Sequence, residues 1–414
     1  MNDVSFEEAR RVWWRVALHS FGGPAGQIAV IHRAVVEERR WIDEAQFLRA
    51  LGYCMLLPGP EAQQLATYLG WRLHGVRGGL TAGLLFVLPG FVAILALSVV
   101  YLTYGDVGFV AALFAGVKPA VLTIVLQAVL KLRARALRGW RSGLVALLAF
   151  TAIFALDVAF PLVLLGAAAT GIAFRMGGSA IPGPPPASPP LAGAVRTVAA
   201  WLALWLAPVA LLVVLAGPSS VWAREAVFFS KAAVVTFGGA YAVLAYVAQQ
   251  AVEVYGWLQP GEMLDGLGMA ETTPGPLIMV VQFVGFMGAA RQATGLDPLV
   301  AGILGSVVTT WVTFAPCFLF IFAGAPYVEV ITAQRQVRAA LAGVMAAVVG
   351  VVLNLAVWFG LHTLVPGSSA PFGVDPLGMG VFVATLVAAF RFKVGMFGLL
   401  GLGAAAGLAA HLLA

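Results

Sequence analysis

FGGPAGQIAVIHRAVVEERRWIDEAQFLRALGYCMLLPGP, residues 21–60, decides how this chain is read. It holds two helix breaks, Phe21-Gly22-Gly23-Pro24 and Leu57-Pro58-Gly59-Pro60, inside otherwise apolar sequence. Clustered glycine and proline interrupt a continuous helix, the first by backbone freedom and the second by removing a donor. The same elements return at a constant offset of 216 residues as Phe237-Gly238-Gly239 and Thr273-Pro274-Gly275-Pro276. That offset also aligns Glu37 with Glu253, Trp41 with Trp257 and Arg15 with Lys231, without a gap. The chain is internally duplicated, and its broken elements are the places to look for function.

Outward from these breaks the composition is that of a membrane protein. Of 414 residues 61% are hydrophobic and 10% charged, and the mean hydropathy is +0.96, far from the quarter or so of charged residues in soluble domains. Runs such as 79–104 and 339–364 exceed the roughly 20 apolar residues that a spanning helix needs. The absence of strict polar and apolar alternation favours helices over a barrel. The formal charge of +6 does not point to nucleic acid, because Lys and Arg are scattered through short loops, as the positive-inside rule expects. Cys54 and Cys317 are too few for a disulfide framework, and no His, Cys and carboxylate spacing suggests a metal or cofactor. The first residues, MNDVSFEEARRVWW, lack the apolar core of a signal peptide and read as mature sequence.

In chain order, 5–38 reads as two half-helices separated at the first break. A second broken segment runs from Asp43 through Pro58-Gly59-Pro60 to Trp71. Arginines at both ends of each suggest re-entrant hairpins, which are tolerated at membrane depth where protein or a watery cavity surrounds them. Spans follow at 79–104, 107–130, 142–157, 159–174 and 197–216, then near 298–325, 339–364, 376–390 and 394–413. A second offset of 227 pairs Pro89 with Pro316, Gly116 with Gly343 and Gln127 with Asn354. The expected organisation is a first repeat over 1–175, a Pro/Gly/Ser-rich linker over 176–196, a connecting span over 197–221 and a second repeat over 222–414. Five spans between the paired hairpins put the second pair on the opposite face. All Lys and Arg except Lys118, Arg224, Lys231 and Arg291 then fall on or near the cytoplasmic side. The reading is an all-α polytopic membrane protein with two inverted-topology repeats and broken re-entrant hairpins. Its weak point is the pair 142–157 and 159–174, each about 24 Å long at 1.5 Å per residue, which one bent span would also explain.

Half-helix N-termini present unpaired N–H groups and a partial positive charge, so they bind anions without a dedicated basic side chain. Four such ends follow the breaks, which makes Phe21, Gly22, Gly23, Pro24, Pro58, Gly59, Pro60, Phe237, Gly238, Gly239, Pro274, Gly275 and Pro276 the candidate substrate site. Kinks that only serve packing are the alternative. Lys118, about ten residues into a span, is a costly intramembrane cation, and Met345 stands at its duplicate position. Snorkelling to the interface is the plain alternative for it. Glu61 and Glu271, beside the two Pro-Gly-Pro breaks, are candidate proton carriers or partners for Lys118. Gln63, Gln64, Gln127, Gln282 and Asn354 are candidate donors to an oxyanion, with interhelical hydrogen bonding as the plain alternative. No GxxxxGK[ST] motif or nucleophile and base arrangement is present, so neither ATP-driven transport nor an enzyme is expected from this chain.

The stretch from Phe21 to Gly75, with FFSKAAVVTFGGAYAVL and ETTPGPL in the second half, resembles the signature regions of the chromate ion transporters of the long, two-domain type. The resemblance implies a multi-pass protein of the bacterial inner membrane that exports chromate, with sulfate as a structural analogue and the membrane potential or proton gradient as the driving force, and so confers chromate resistance. It implies an oxyanion and the lipid bilayer as partners, leaves a homodimer open, and places Gln64 and the glycines and prolines of the four breaks in the motif. Two positions depart from it: Ala240 replaces the proline of the second FGG element, and Met55 stands opposite Glu271. From the residues alone the expectation is broader, a secondary transporter of a small oxyanion by alternating access. A passive anion channel, an importer of sulfate-like oxyanions and a non-transporting scaffold or sensor remain as alternatives.

Overall fold

Ser5 starts the first helix, α1 (Phe6–Leu18), by accepting from the Glu8 N–H, while Glu7 and Glu8 in the first turn and Arg15 in the last complement its dipole. In this computed structural model, which describes residues 4–105, 107–177, 191–327, 334–365 and 373–413, the chain is helical, with no strand among the described residues. After the first break come α2 (Gly23–His32) and a wide turn over Arg33–Glu38. Asp43 and Gln46 form a reciprocal capping box at the start of α3 (Glu44–Cys54). The next helix, α4 (Glu61–Tyr104), has two limbs that reverse at His74 and Gly75, where φ is −137° and +59°. Gly70 and Gly78 meet backbone to backbone across the limbs, which closes the hairpin.

The first half continues through α5 (Gly108–Ala136), α6 (Trp140–Phe154) and α7 (Phe160–Ala173). The chain breaks between the last two, so the pair expected at 142–157 and 159–174 is two short helices and not one bent span. The Pro/Gly/Ser-rich linker falls, over 178–190, outside the described residues. The helix α8 (Leu191–Ala216) begins directly after Pro190, where the turn-forming composition gives way to Leu, Ala, Val and Arg.

The second half repeats the order as α9 (Val221–Val234), α10 (Ala240–Gln249) with a wide turn over Gln250–Val254, α11 (Glu262–Thr272), a short 3₁₀ turn over Leu277–Met279, α12 (Val280–Gln292), α13 (Pro298–Gly324), α14 (Arg335–Leu364), α15 (Pro376–Arg391) and α16 (Met396–Leu413). The likeness extends to individual hydrogen bonds. Arg39 N–H donates to Ala34 and Trp41 N–H to Val35 in the first wide turn; Tyr255 N–H donates to Gln250 and Trp257 N–H to Ala251 in the second, each pair 216 residues apart. Two offsets are needed because the second hairpin is longer. Its limbs meet at Gly285 and Gly305, where the first meets at Gly70 and Gly78, and residues around Asp297 occupy the added tip.

Among the described residues six helices, α4, α5, α8, α13, α14 and α16, are long and apolar enough to cross a membrane. The later helices of the two halves interlock. The first half's α5 packs against α15 and α16, while α14 packs against α6 and α7. Glycines make this possible: Gly116 of α5 touches the backbone of Gly403 and Gly407, and Gly343 of α14 touches that of Ala167 and Gly171. A side chain at these crossings would push whole helices apart.

Candidate functional site

Each break is a place where the chain cannot continue its helix and turns back on the other half. Ser20 and Thr236, 216 residues apart and both fully buried, close their helices by donating their hydroxyls to the Val16 and Ala232 carbonyls. This leaves their own carbonyls free to accept. The Gly59 N–H donates to the Thr236 carbonyl at 2.7 Å, and the Gly275 N–H donates to the Ser20 carbonyl at 2.9 Å. The first Pro-Gly-Pro is thereby bound to the second FGG break, and the second Pro-Gly-Pro to the first FGG break. Proline on both sides leaves the glycine N–H as the local donor of each Pro-Gly-Pro, and φ of +127° at Gly59 and +103° at Gly275 explains why glycine stands there.

The long helices that carry an internal proline follow the same crosswise rule. Gly90, after Pro89 in α4, lies against Pro274 and Gly275, and Cys317, after Pro316 in α13, lies against Gly59. Gln27 donates to the Gly275 carbonyl at 2.7 Å and Gln64 to the Pro58 carbonyl at 2.7 Å. The Gln64 carbonyl oxygen, like that of Gln63, is buried without a partner. Tyr241, in the first turn of α10, donates to the carboxylate of Glu271, just before the second Pro-Gly-Pro. Beside these packed loops the N-termini of α2 and α10 stay open: a methyl group at Gly22, Gly23 or Gly239 would meet no atom within 4 Å. At Gly238 the same methyl would run into Val348 and Met345 of α14. The arrangement offers backbone N–H groups and buried amides at one locus, with no basic side chain among the residues just named.

The structure therefore gathers Gly22, Gly23, Pro24, Pro58, Gly59, Pro60, Gln64, Gly238, Gly239, Pro274, Gly275, Pro276 and Glu271 around one junction. Phe21 stands at its edge, with its ring 5.9 Å from that of Phe397, and Phe237 is half-buried in the matching position. Glu61 is half-buried as the first residue of α4. Gln127 and Asn354 are half-buried on α5 and α14, and no hydrogen bond among the described residues joins either to a break. Lys118 is not at the junction. Its Nζ lies 3.3 Å from Asp265 near the start of α11, about 15 Å of helix away from the second Pro-Gly-Pro at 1.5 Å per residue.

The expected partner of Lys118, Glu61 or Glu271, is thus replaced by Asp265, because Glu271 sits at the far end of the same helix and is held by Tyr241. Sequence reasoning also missed Tyr101, whose hydroxyl donates to Asp265 at 2.8 Å, and Glu225 of α9, fully buried beside Gly288 and Trp257 with neither oxygen hydrogen-bonded. Asp265 and Glu225 carried a signal that could have been used, since each is a carboxylate within apolar sequence. No group of three or more His, Cys, Asp or Glu among the described residues is placed to hold a metal.

A family model described as "Chromate transporter" matches residues 8–172 and 223–408, one match for each half. The chromate transport protein of Pseudomonas aeruginosa is 33% identical over 398 residues, covering 94% of this chain and 88% of that protein. The chromate transport protein of Cupriavidus metallidurans is 29% identical over 360 residues, 85% of this chain and 82% of that protein. An uncharacterized transporter of Bacillus subtilis is 27% identical over 171 residues, which is 40% of this chain and 91% of that protein. No solved structure matches the chain.

Proposed function

The chain belongs to the chromate transporter family, and on that premise we propose that it exports chromate from the bacterial cytoplasm by alternating access, with sulfate as a competing analogue and chromate resistance as the result. The observation that carries the reading is the reciprocal pair of hydrogen bonds, Gly59 to Thr236 and Gly275 to Ser20, which ties each FGG break to the Pro-Gly-Pro break of the other half. Cargo is held there by the N–H groups at the starts of α2 and α10, beside Gly22, Gly23 and Gly239, with Gln64 as a further donor. Chromate and sulfate are tetrahedral dianions, so a cage of backbone N–H groups discriminates between them weakly and both compete for it.

Alternating access needs an element with two arrangements around one site. The two halves, inserted in opposite senses, meet at the junction through the Gly59 and Gly275 backbone bonds and the bond from Gln27 to the Gly275 carbonyl. A rocking of one half on the other exchanges those bonds without unfolding either. The positive-inside charge pattern supports the inversion.

Radiolabelled chromate uptake into inside-out membrane vesicles, with and without an imposed potential and excess sulfate, tests the proposal. Saturable, potential-dependent uptake that sulfate inhibits is expected. Ohmic, non-saturating flux without exchange would replace the carrier by a passive channel, and uptake no greater than in vesicles lacking the protein would reject chromate as cargo.

A further inference from the structure

Lys118, on the candidate span α5, and Asp265, near the start of α11, form an ion pair that the junction of breaks does not use. Their charged atoms are 3.3 Å apart, with the Lys118 side chain 29% exposed and that of Asp265 2% exposed. Asp265 Oδ2 also accepts from the Tyr101 hydroxyl at 2.8 Å, whereas Oδ1 is buried with no partner. Three groups bear on this carboxylate, Tyr101 from α4, Lys118 from α5 and Glu262 from its own helix, while Arg291 of α12 faces Glu262. Arg291 is already committed to Glu262 through two hydrogen bonds of 2.7 Å. The sole titratable side chain of α16, His411, lies against Gly108. Lys118 is therefore the cation on which the charge of Asp265 depends. The duplicate positions hold no such pair, since Met345 replaces Lys118 and Arg49 aligns with Asp265.

Building on the transport reading, we propose that this pair loads one proton with each oxyanion. A dianion on its way to or from the junction draws the partly exposed Lys118 ammonium away from Asp265. The carboxylate is then a bare charge in a dry site beside a second anion, an arrangement that low dielectric makes costly. It takes a proton from water on the face then open, at Oδ1, the oxygen that lacks a donor, while Oδ2 keeps Tyr101. An O–H bond forms on Asp265 as the Nζ contact breaks. When the oxyanion leaves on the other face, the proton returns to water there and the ion pair re-forms. One proton thus accompanies each dianion in the same direction, and one net negative charge crosses, which an inside-negative potential drives outward.

The full chain in proteoliposomes, with the potential clamped by potassium and valinomycin and radiolabelled chromate at alkaline pH, where the dissolved ion is the dianion, tests this. The unaltered protein is expected to accumulate chromate on the alkaline side, by about tenfold per pH unit imposed for one proton per cargo, and an entrapped pH dye is expected to report one proton moving with each chromate. Asp265→Asn is expected to exchange labelled for unlabelled chromate but to ignore the pH gradient. The proposal is overturned if the unaltered protein exchanges chromate yet does not respond to the gradient, if protons move oppositely, or if Asp265→Asn still responds. The dye measurement on the unaltered protein decides the matter even where the variant does not assemble. Absence of exchange by the unaltered protein would instead reject the transport reading itself.

Discussion

Gly59→Ala is the substitution whose effect the structure fixes most closely. At φ of +127° an L-residue adopts a backbone state that costs about 1–3 kcal/mol. The new methyl would lie 2.6 Å from Gln64 Nε2 and 2.9 Å from Cys317 Sγ, both too close. Moving Gln64 away gives up its 2.7 Å bond to the Pro58 carbonyl, about 0.5–1.5 kcal/mol more. The sum is about 1.5–4.5 kcal/mol, placed at the loop whose N–H joins the two halves. At 1.4 kcal/mol per tenfold, the population with an intact junction falls by roughly 10- to 1,600-fold if the cost is borne locally. Gly295→Ala is the matched reference: its φ is +82°, but its methyl would meet nothing within 4 Å, so only about 1–2 kcal/mol of backbone strain remains. Both variants, purified in detergent and reconstituted, are compared by thermal melting and by chromate exchange. Gly59→Ala is expected to lose exchange and to melt below Gly295→Ala; equal melting and equal exchange would refute the junction as the working centre.

Lys118→Met is expected to cost about 3–5 kcal/mol in chemical denaturation, because it strands a buried carboxylate, and Lys118→Met with Asp265→Asn is expected to recover most of that loss. Tyr241→Phe removes the donor to Glu271 and is expected to lower stability by about 1–3 kcal/mol, read from the melting temperature. Gly116→Ala and Gly343→Ala each press a methyl against backbone of the opposite half and are expected to destabilise by about 1–3 kcal/mol each and by similar amounts, since the two crossings are equivalent; unequal losses in thermal melting would show that they are not.

The duplication, the four breaks and the apolar spans were all legible in the chain. Helix interruption by Gly-Gly-Pro and Pro-Gly-Pro is a local property, and hydrophobic length is a sum over neighbours. The two offsets, 216 and 227, were equally visible, but their cause, a longer tip in the second hairpin, needed the pairing of Gly285 with Gly305. Lys118 stood out as an intramembrane charge, yet its partner was misjudged. Asp265 is remote in sequence, and proximity to a Pro-Gly-Pro favoured Glu61 and Glu271 instead.

What the sequence by itself determined is therefore the membrane class, the two copies and the positions where helix cannot continue, because each depends on residues within a turn or a span of one another. Tertiary structure alone decided which surfaces of the two copies meet crosswise: Gly59 to Thr236, Gly275 to Ser20, α5 onto α15 and α16, α14 onto α6 and α7. A repeat in sequence shows that two surfaces are alike. Which surface each one covers is set by close approach of backbones at glycines far apart in the chain, and no local pattern encodes that choice.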